Sequence, residues 1–221
     1  MPAESTLRHG NGASYQLIET LRWEPDGGFI RGARHLERMG QSALALGFSW
    51  NAENAERALQ TAIEHSPHAL RVRVVLDPDG SVTCTVSPFS PLASDALWRL
   101  RIASARLDSS DLLLRHKTSR RTIYAAARSE FGITDADEVL LLNERGELCE
   151  GTITTLFVDF GDGHPLATPT LSCGLLAGVL RAEMLEKGLA QEAVIMPHEM
   201  TKAREIFVGN SLRGLVRAQL S

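Results

Sequence analysis

Three times in this chain an apolar strand-like run meets a short, charged, glycine-containing turn and then resumes, and this pattern constrains the fold most. SYQLIETLRW reaches EPDGG before Phe29 and Ile30, LRVRVVL reaches DPDG before SVTCTVSPF, and EVLLLN reaches ERGE before ELCEGTITTLFVDF. A period of two describes half-buried strands, and turns this short force the two arms to pair antiparallel. Helical signals lie between the hairpins. ARHLERMGQSALALG places Leu36, Met39, Ala43, Leu44 and Leu46 mostly along one face and stops at Gly47. NAENAERALQTAIEHSP opens on Asn51 as N-cap and stops at Pro67. Further on come the strand LWRLRIASARL, a helix from near Lys117 through TIYAAARSEFG to Gly132, and the helix AGVLRAEMLEKG. A strand, a short helix and two strands over QEAVIMPHEM, EIFVGN and SLRGLVRAQL close the chain. Helices and hairpins are segregated rather than strictly alternating, which predicts an α+β fold and not a doubly wound parallel sheet.

At 221 residues and 43% hydrophobic content the chain is long enough for two lobes. The low-charge stretch SPFSPLASDA (Ser87–Ala96), with its prolines and no periodic apolar face, separates them. We expect an N-terminal lobe over residues 1–90 and a C-terminal lobe, carrying Lys117, over residues 97–221. A formal charge of -4 supplies no basic field for nucleic acid or anionic membrane, so any anion site must be local. No apolar stretch approaches the roughly 20 residues that cross a bilayer, and MPAESTLRHGNG lacks the apolar core of a leader, so a cytoplasmic protein is expected. Cys84, Cys149 and Cys173 are odd in number, widely spaced and without a CxxC pair, which reads as reduced packing residues and no metal site.

Lys117 lies in RHKTSRR, where Arg115, His116, Arg120 and Arg121, if they close around it, disfavour its ammonium form and activate the amine toward an aldehyde. The same run taken alone also fits a solvated helix face. Glu150 stands in LNERGELCEGT at a hairpin end, a rigid mount for a carboxylate or an ordinary exposed edge residue. In SCGLLAGVLR, Gly174 and Gly178 flank a bend and a helix begins after Gly178, where amides without intrahelical partners favour an anion. Arg38 and Ser211 offer a charge and a hydroxyl for the same anion, or a surface ion pair and a turn.

In order and spacing, LIETLR, RHLERMGQSALALG, HKTSRRTIY, LLNERGELCEGTITTLF, TPTLSCGLLAGVLR and FVGNSLRG resemble the class IV pyridoxal-phosphate enzymes across nearly the whole chain. That family includes branched-chain aminotransferases, D-amino-acid aminotransferases and 4-amino-4-deoxychorismate lyases. The resemblance implies two α+β lobes of the fold type IV kind with pyridoxal 5′-phosphate in the cleft between them, and a homodimer. It makes Lys117 the Schiff-base lysine, Glu150 the partner of the pyridinium nitrogen, and Arg38, Gly178, Val179, Leu180 and Ser211 the phosphate site. Tyr124 is either a ring contact or packing, since it follows Lys117 by seven residues where the family often places its tyrosine closer. Arg71 and Arg73, two apart on one strand face, offer a cation for a substrate carboxylate, and Thr20, beside Glu19, and Thr152 offer pocket walls.

The chain departs from the family pattern in three places. Thr154 and Thr155 stand where a Ser-Asn pair often follows EGT, Leu180 stands where a hydroxyl residue commonly follows Gly-Val, and the chain begins close to LIETLR. Three functions follow from the resemblance. The first is an aminotransferase acting between an amino acid and a 2-oxo acid. The second is a lyase releasing 4-aminobenzoate and pyruvate from 4-amino-4-deoxychorismate. The third is a non-catalytic dimer that binds the cofactor. The aminotransferase stands slightly ahead.

Overall fold

The computed structural model describes residues 15–64, 66–161 and 163–221; the opening residues read above for a leader lie outside them. The described chain divides into two compact units, the first running to Pro91 and taking up His116–Arg120, the second comprising Leu92–Arg115 and Arg121–Ser221.

In the first unit, β1 (Leu17–Glu24) turns into β2 (Gly28–Ile30), two helices follow, α1 (Gly32–Leu46) and α2 (Ala52–Ala62), and β3 (Leu70–Leu76) turns into β4 (Val82–Pro88). The sheet has the order β2-β1-β3-β4 and is antiparallel throughout. Both expected hairpins form because their turn residues act locally. Asn51 caps α2 as read, its side chain accepting the Asn54 amide at 2.9 Å. The helix ends at Ala62, ahead of Pro67. On α1 the buried residues are His35, Met39, Ser42, Ala43 and Leu46, while Leu44 is 79% exposed. The expected stripe through Leu36 and Leu44 is therefore rotated, because the polar His35 and Ser42 have partners elsewhere in the fold.

The segment holding Lys117 joins this first unit rather than the second. Thr118 forms a β-bridge with Leu17, the Ile18 amide donates to the Lys117 carbonyl at 2.9 Å, and the Ser119 amide donates to Gln16. These residues add a short stretch of ladder to β1. The helix expected from Lys117 starts instead at Thr122, because residues 117–119 spend their backbone groups on β1 and are unavailable to a helical turn.

The second unit runs β5 (Leu97–Leu107), α3 (Thr122–Ser129), β6 (Glu138–Asn143), β7 (Leu148–Gly151), β8 (Thr155–Asp159), β9 (Leu166–Pro169), α4 (Val179–Glu186), β10 (Ala190–Ala193), β11 (Glu205–Asn210) and β12 (Gly214–Leu220). Its eight strands take the order β10-β9-β8-β11-β12-β5-β6-β7. Local hairpins are only part of it: β5 lies parallel to β6 and β12, and β9 parallel to β10, with α3 and α4 in the crossovers. The sheet is thus mixed. The arm read as one strand from ELCEG to FVDF breaks at residues 152–154, so β7 pairs with β6 while β8 pairs with β9 and β11. In a flat sheet β7 and β8 would stand five spacings apart, roughly 24 Å, yet three residues spanning at most about 14 Å join them. The sheet must curl.

Both faces of β6 are buried, which explains its unbroken apolar run. Leu140 and Leu142 pack with Leu100, Leu148 and Val208, whereas Val139 and Leu141 pack with Leu107, Tyr124, Ala127 and Leu175. Cys149 and Cys173 are buried free thiols, and Cys84 is partly buried on β4. Burial pushes both buried thiols up, Cys173 to about 11. Among the described residues, no helix is long and apolar enough to cross a membrane, and no group of His, Cys, Asp and Glu could hold a metal ion.

Candidate active site

In the first unit, Glu19 points from β1 toward α1 and is 1% exposed. Arg38 grips it through two guanidinium nitrogens, Nε at 2.7 Å and Nη2 at 2.6 Å, while His35 Nδ1 lies 2.6 Å from its Oε2. Burial alone raises the Glu19 carboxyl, but the Arg38 charge and the bonds from His35 and Arg38 outweigh it and hold the group at about 2. The forked contact takes two of the five N–H donors of Arg38 and fixes the direction of the others. His35 and Arg38 are three residues apart on α1 and therefore share a face. This spacing, set against an acidic residue inside the strand LIETLR, is the signal by which the cluster could have been found.

Thr20 and Glu19 are successive on β1 and project to opposite faces, so the pair cannot line one pocket with both side chains. Thr20 pairs across the sheet with Arg73, and Arg22 with Arg71. Arg71 and Arg73 share one face of β3, opposite Leu70, Val72 and Val74, and pair with Ser87 and Thr85 on β4. Lys117 is fixed by its neighbours on both sides. Thr118 is bridged to Leu17, and His116 Nδ1 lies 2.9 Å from the Ser42 hydroxyl on α1. The basic run is divided between the units: Arg115 and Arg121 belong to the second, where Arg121 bonds the Thr152 carbonyl, and in the first Arg120 is exposed and His116 turns to Ser42.

In the second unit, Glu150 is the penultimate residue of β7 and is buried. The Tyr124 hydroxyl donates to its Oε1 at 2.6 Å, and the Leu176 amide donates to the same oxygen at 3.3 Å. Burial, then the adjacent Glu150 charge, drives Tyr124 far above the ordinary phenol value, so it stays a donor. The Arg121 guanidinium lies 4.4 Å above the Tyr124 ring and donates to the Thr152 carbonyl. Tyr124 is thus both packed in the α3 core and hydrogen-bonded to Glu150. Tyr124→Phe is expected to destabilise the protein by about 1.5–3 kcal/mol, the range for a bond to a charged group, measured as the urea midpoint. A change below about 0.5 kcal/mol, the surface-substitution range, would reduce Tyr124 to packing.

Gly178 caps α4 with extended backbone, φ −64° and ψ 139°, and no side chain caps the helix. A Cβ at Gly178 would stand 2.9 Å from the Thr155 hydroxyl, so only glycine lets β8 and the helix start approach this closely. Val179 and Leu180 occupy the first turn, where amides lack an i−4 acceptor. Ser211 is buried in the turn between β11 and β12. That turn is tied to the Thr152–Thr154 bend through Asn210, whose Nδ2 donates to the Ile153 carbonyl at 3.1 Å and whose Oδ1 accepts the Leu212 and Arg213 amides. The second unit therefore joins Tyr124, Glu150, Thr152 and the Ser211 turn in one polar network. Its anchor is Glu138, at the head of β6, which accepts the Thr152 and Thr154 hydroxyls and escaped sequence reasoning. An acid heading the otherwise apolar EVLLLN, facing hydroxyls at alternate positions of TIT, is its only signature.

A buried, donor-held carboxylate and an uncapped helix start at a glycine are a donor set suited to a phosphorylated pyridine, and residues 16–220 match the family model for amino-transferase class IV. The chain belongs to the class IV aminotransferase family. Class IV enzymes related to it span two activities. It is 30% identical over 210 residues to the Schizosaccharomyces pombe "putative aminodeoxychorismate lyase", covering 92% of this chain and 89% of that one. It is 28% identical over 217 residues to the Thermotoga maritima "probable branched-chain-amino-acid aminotransferase", covering 93% and 76%. The crystal structure of a "putative amino-acid aminotransferase" from Mesorhizobium loti superposes with a TM-score of 0.92 at 53% identity, covering 94% of this class IV chain and 100% of that one.

Proposed function

We propose that this class IV enzyme is a pyridoxal 5′-phosphate-dependent amino-acid aminotransferase that moves an amino group from an amino acid to a 2-oxo acid. The buried Glu150 carboxylate, fixed by the Tyr124 hydroxyl at 2.6 Å, supports this reading most. The cofactor, when bound, supplies an electron sink for the bond broken at the substrate Cα. The chain's own residues do the rest. Lys117 would hold the cofactor through its amine and would be the base that takes the proton from the substrate Cα. Glu150 would face the ring nitrogen and hold a proton there. In the first unit Arg38 would offer its guanidinium to the phosphate; in the second the turn at Gly178, whose own amide donates to the Leu176 carbonyl, would offer the Val179 and Leu180 amides, and Ser211 a hydroxyl. Leu180 contributes its backbone alone. In the first unit Arg71 or Arg73 would pair with the substrate carboxylate beside Thr20, and in the second Thr152 would offer a further substrate contact. The same reading carries a homodimer working in the cytoplasm.

The experiment supplies the purified protein with pyridoxal phosphate, an amino acid and pyruvate or 2-oxoglutarate, and follows the visible spectrum and the new 2-oxo acid. A band that changes with the amino donor and steady oxo-acid formation are expected. A second reading, 4-amino-4-deoxychorismate lyase, is favoured by the 30% identity to the S. pombe relative. Release of 4-aminobenzoate without oxo-acid formation from amino acids would replace the first reading by the second. A band with neither product would reject both in favour of a non-catalytic binder, and no band at all would reject cofactor binding.

A further inference from the structure

Glu138 begins β6 and is 1% exposed, yet its carboxylate is met by five amide and hydroxyl donors. Oε1 accepts the Val139 amide at 2.8 Å, the Thr152 amide at 3.0 Å and the Thr152 hydroxyl at 2.5 Å. Oε2 accepts the Ile153 amide at 3.1 Å and the Thr154 hydroxyl at 2.8 Å. An ionised carboxylate in the interior is costly unless its lone pairs are satisfied, and this one is satisfied almost wholly by a single bend. The bend is fitted to it. A Cβ at Gly151 would come within 2.8 Å of the Glu138 carboxyl carbon, so glycine there leaves room for the acid beneath. With Thr152 and Thr154 turned inward, Ile153 is turned out and is 52% exposed.

Two links carry this geometry toward the site. Glu150 directly precedes Gly151, so pinning the bend sets where β7 ends and how the Glu150 side chain leaves the strand. Asn210 bonds the Ile153 carbonyl and also shapes the turn containing Ser211. Resting on the pyridoxal-phosphate reading above, we propose that Glu138 is a positioning residue that sets Glu150 and the Ser211 turn through the Thr152–Thr154 bend. It also accounts for the departure at Thr154: a hydroxyl suffices at this position because its partner is the Glu138 carboxylate.

The test compares the wild-type holoenzyme with Glu138→Gln, Thr154→Val, Thr154→Ser and the double variant Glu138→Gln/Thr154→Val. Each is followed by thermal midpoint, by the pH titration of the visible cofactor band, and by kcat and KM. A misplaced group near the reacting atoms costs up to about 10²-fold. Accordingly, Glu138→Gln and Thr154→Val should each lower kcat by roughly 10–100-fold and displace the band's pH midpoint, and Thr154→Ser should restore both. The double variant should be no worse than the poorer single one, since both act through one contact. If Glu138→Gln does not fold, the Thr154 pair decides alone. Variants that fold and keep the wild-type midpoint and kcat overturn the proposal while leaving the cofactor reading intact. A wild-type protein with no band overturns the cofactor reading and this proposal with it.

Discussion

Lys117→Ala is expected to remove the visible band of the cofactor-loaded protein and to lower amino-group transfer by at least roughly 10²–10⁴-fold, the range for losing a positioned acid–base group alone. The loss should exceed that range if nucleophilic attachment also limits the rate. Truncation at this position leaves the backbone anchorage in place, because the Ile18 amide donates to the Lys117 carbonyl and the bridge belongs to Thr118. The variant should therefore fold, and its defect should reside in the amine. Lys117→Arg is the matching control: it keeps a cation but presents a guanidinium that forms no imine. A Lys117→Ala protein with an unchanged band would place the cofactor's attachment elsewhere and end the central claim.

Glu19→Ala should produce the largest loss of stability, about 3–5 kcal/mol, the cost of removing one partner from a buried ion pair. It removes the carboxylate that Arg38 and His35 both bond, at a position that is 1% exposed. The same group predicts an acid limit. Its folded value of about 2 lies below the ordinary 4.5, so the stability it contributes is complete above about pH 4.5 and is lost as pH falls through about 2. At about 1.4 kcal/mol per pH unit the displacement amounts to about 3 kcal/mol. Urea midpoints between pH 6 and pH 2 should fall steeply for the wild type and less steeply for Glu19→Gln, which has no proton to gain. Parallel slopes would show that Glu19 contributes nothing to the acid limit. Because Glu19 aims the Arg38 fork, Glu19→Gln should also weaken pyridoxal phosphate more than pyridoxal.

The hairpins were legible in sequence because a turn such as DPDG dictates its own geometry from four residues. The positions of Glu150 and of the helix after Gly178 were legible for the same reason, being set by a strand end and a helix start. What stayed hidden depends on partners distant in the chain. His35 and Ser42 look like solvent-facing helix residues until Glu19 and His116 are brought to them. TITTLF reads as one strand because alternation continues through Thr152–Thr154, and only the buried Glu138 explains the break. Parallel pairing of β5 with β6 and β12 leaves no turn signal at all. The helix expected from near Lys117 was misplaced: a basic run ahead of a helix resembles a helix start, and nothing local reveals that the run first docks on β1.

That docking has a consequence for how the protein is made. The first unit is interrupted after Pro91 and resumes only at His116–Arg120. A ribosome producing roughly 5–20 residues per second needs a few more seconds after Pro91 before the missing stretch of ladder emerges. Until then the end of β1 is an uncovered edge, the kind of surface on which nascent chains associate wrongly. The lysine proposed for catalysis therefore lies in the stretch that closes that edge, so a protein cut short before Arg120 would lose a reactive amine, a finished sheet, or both.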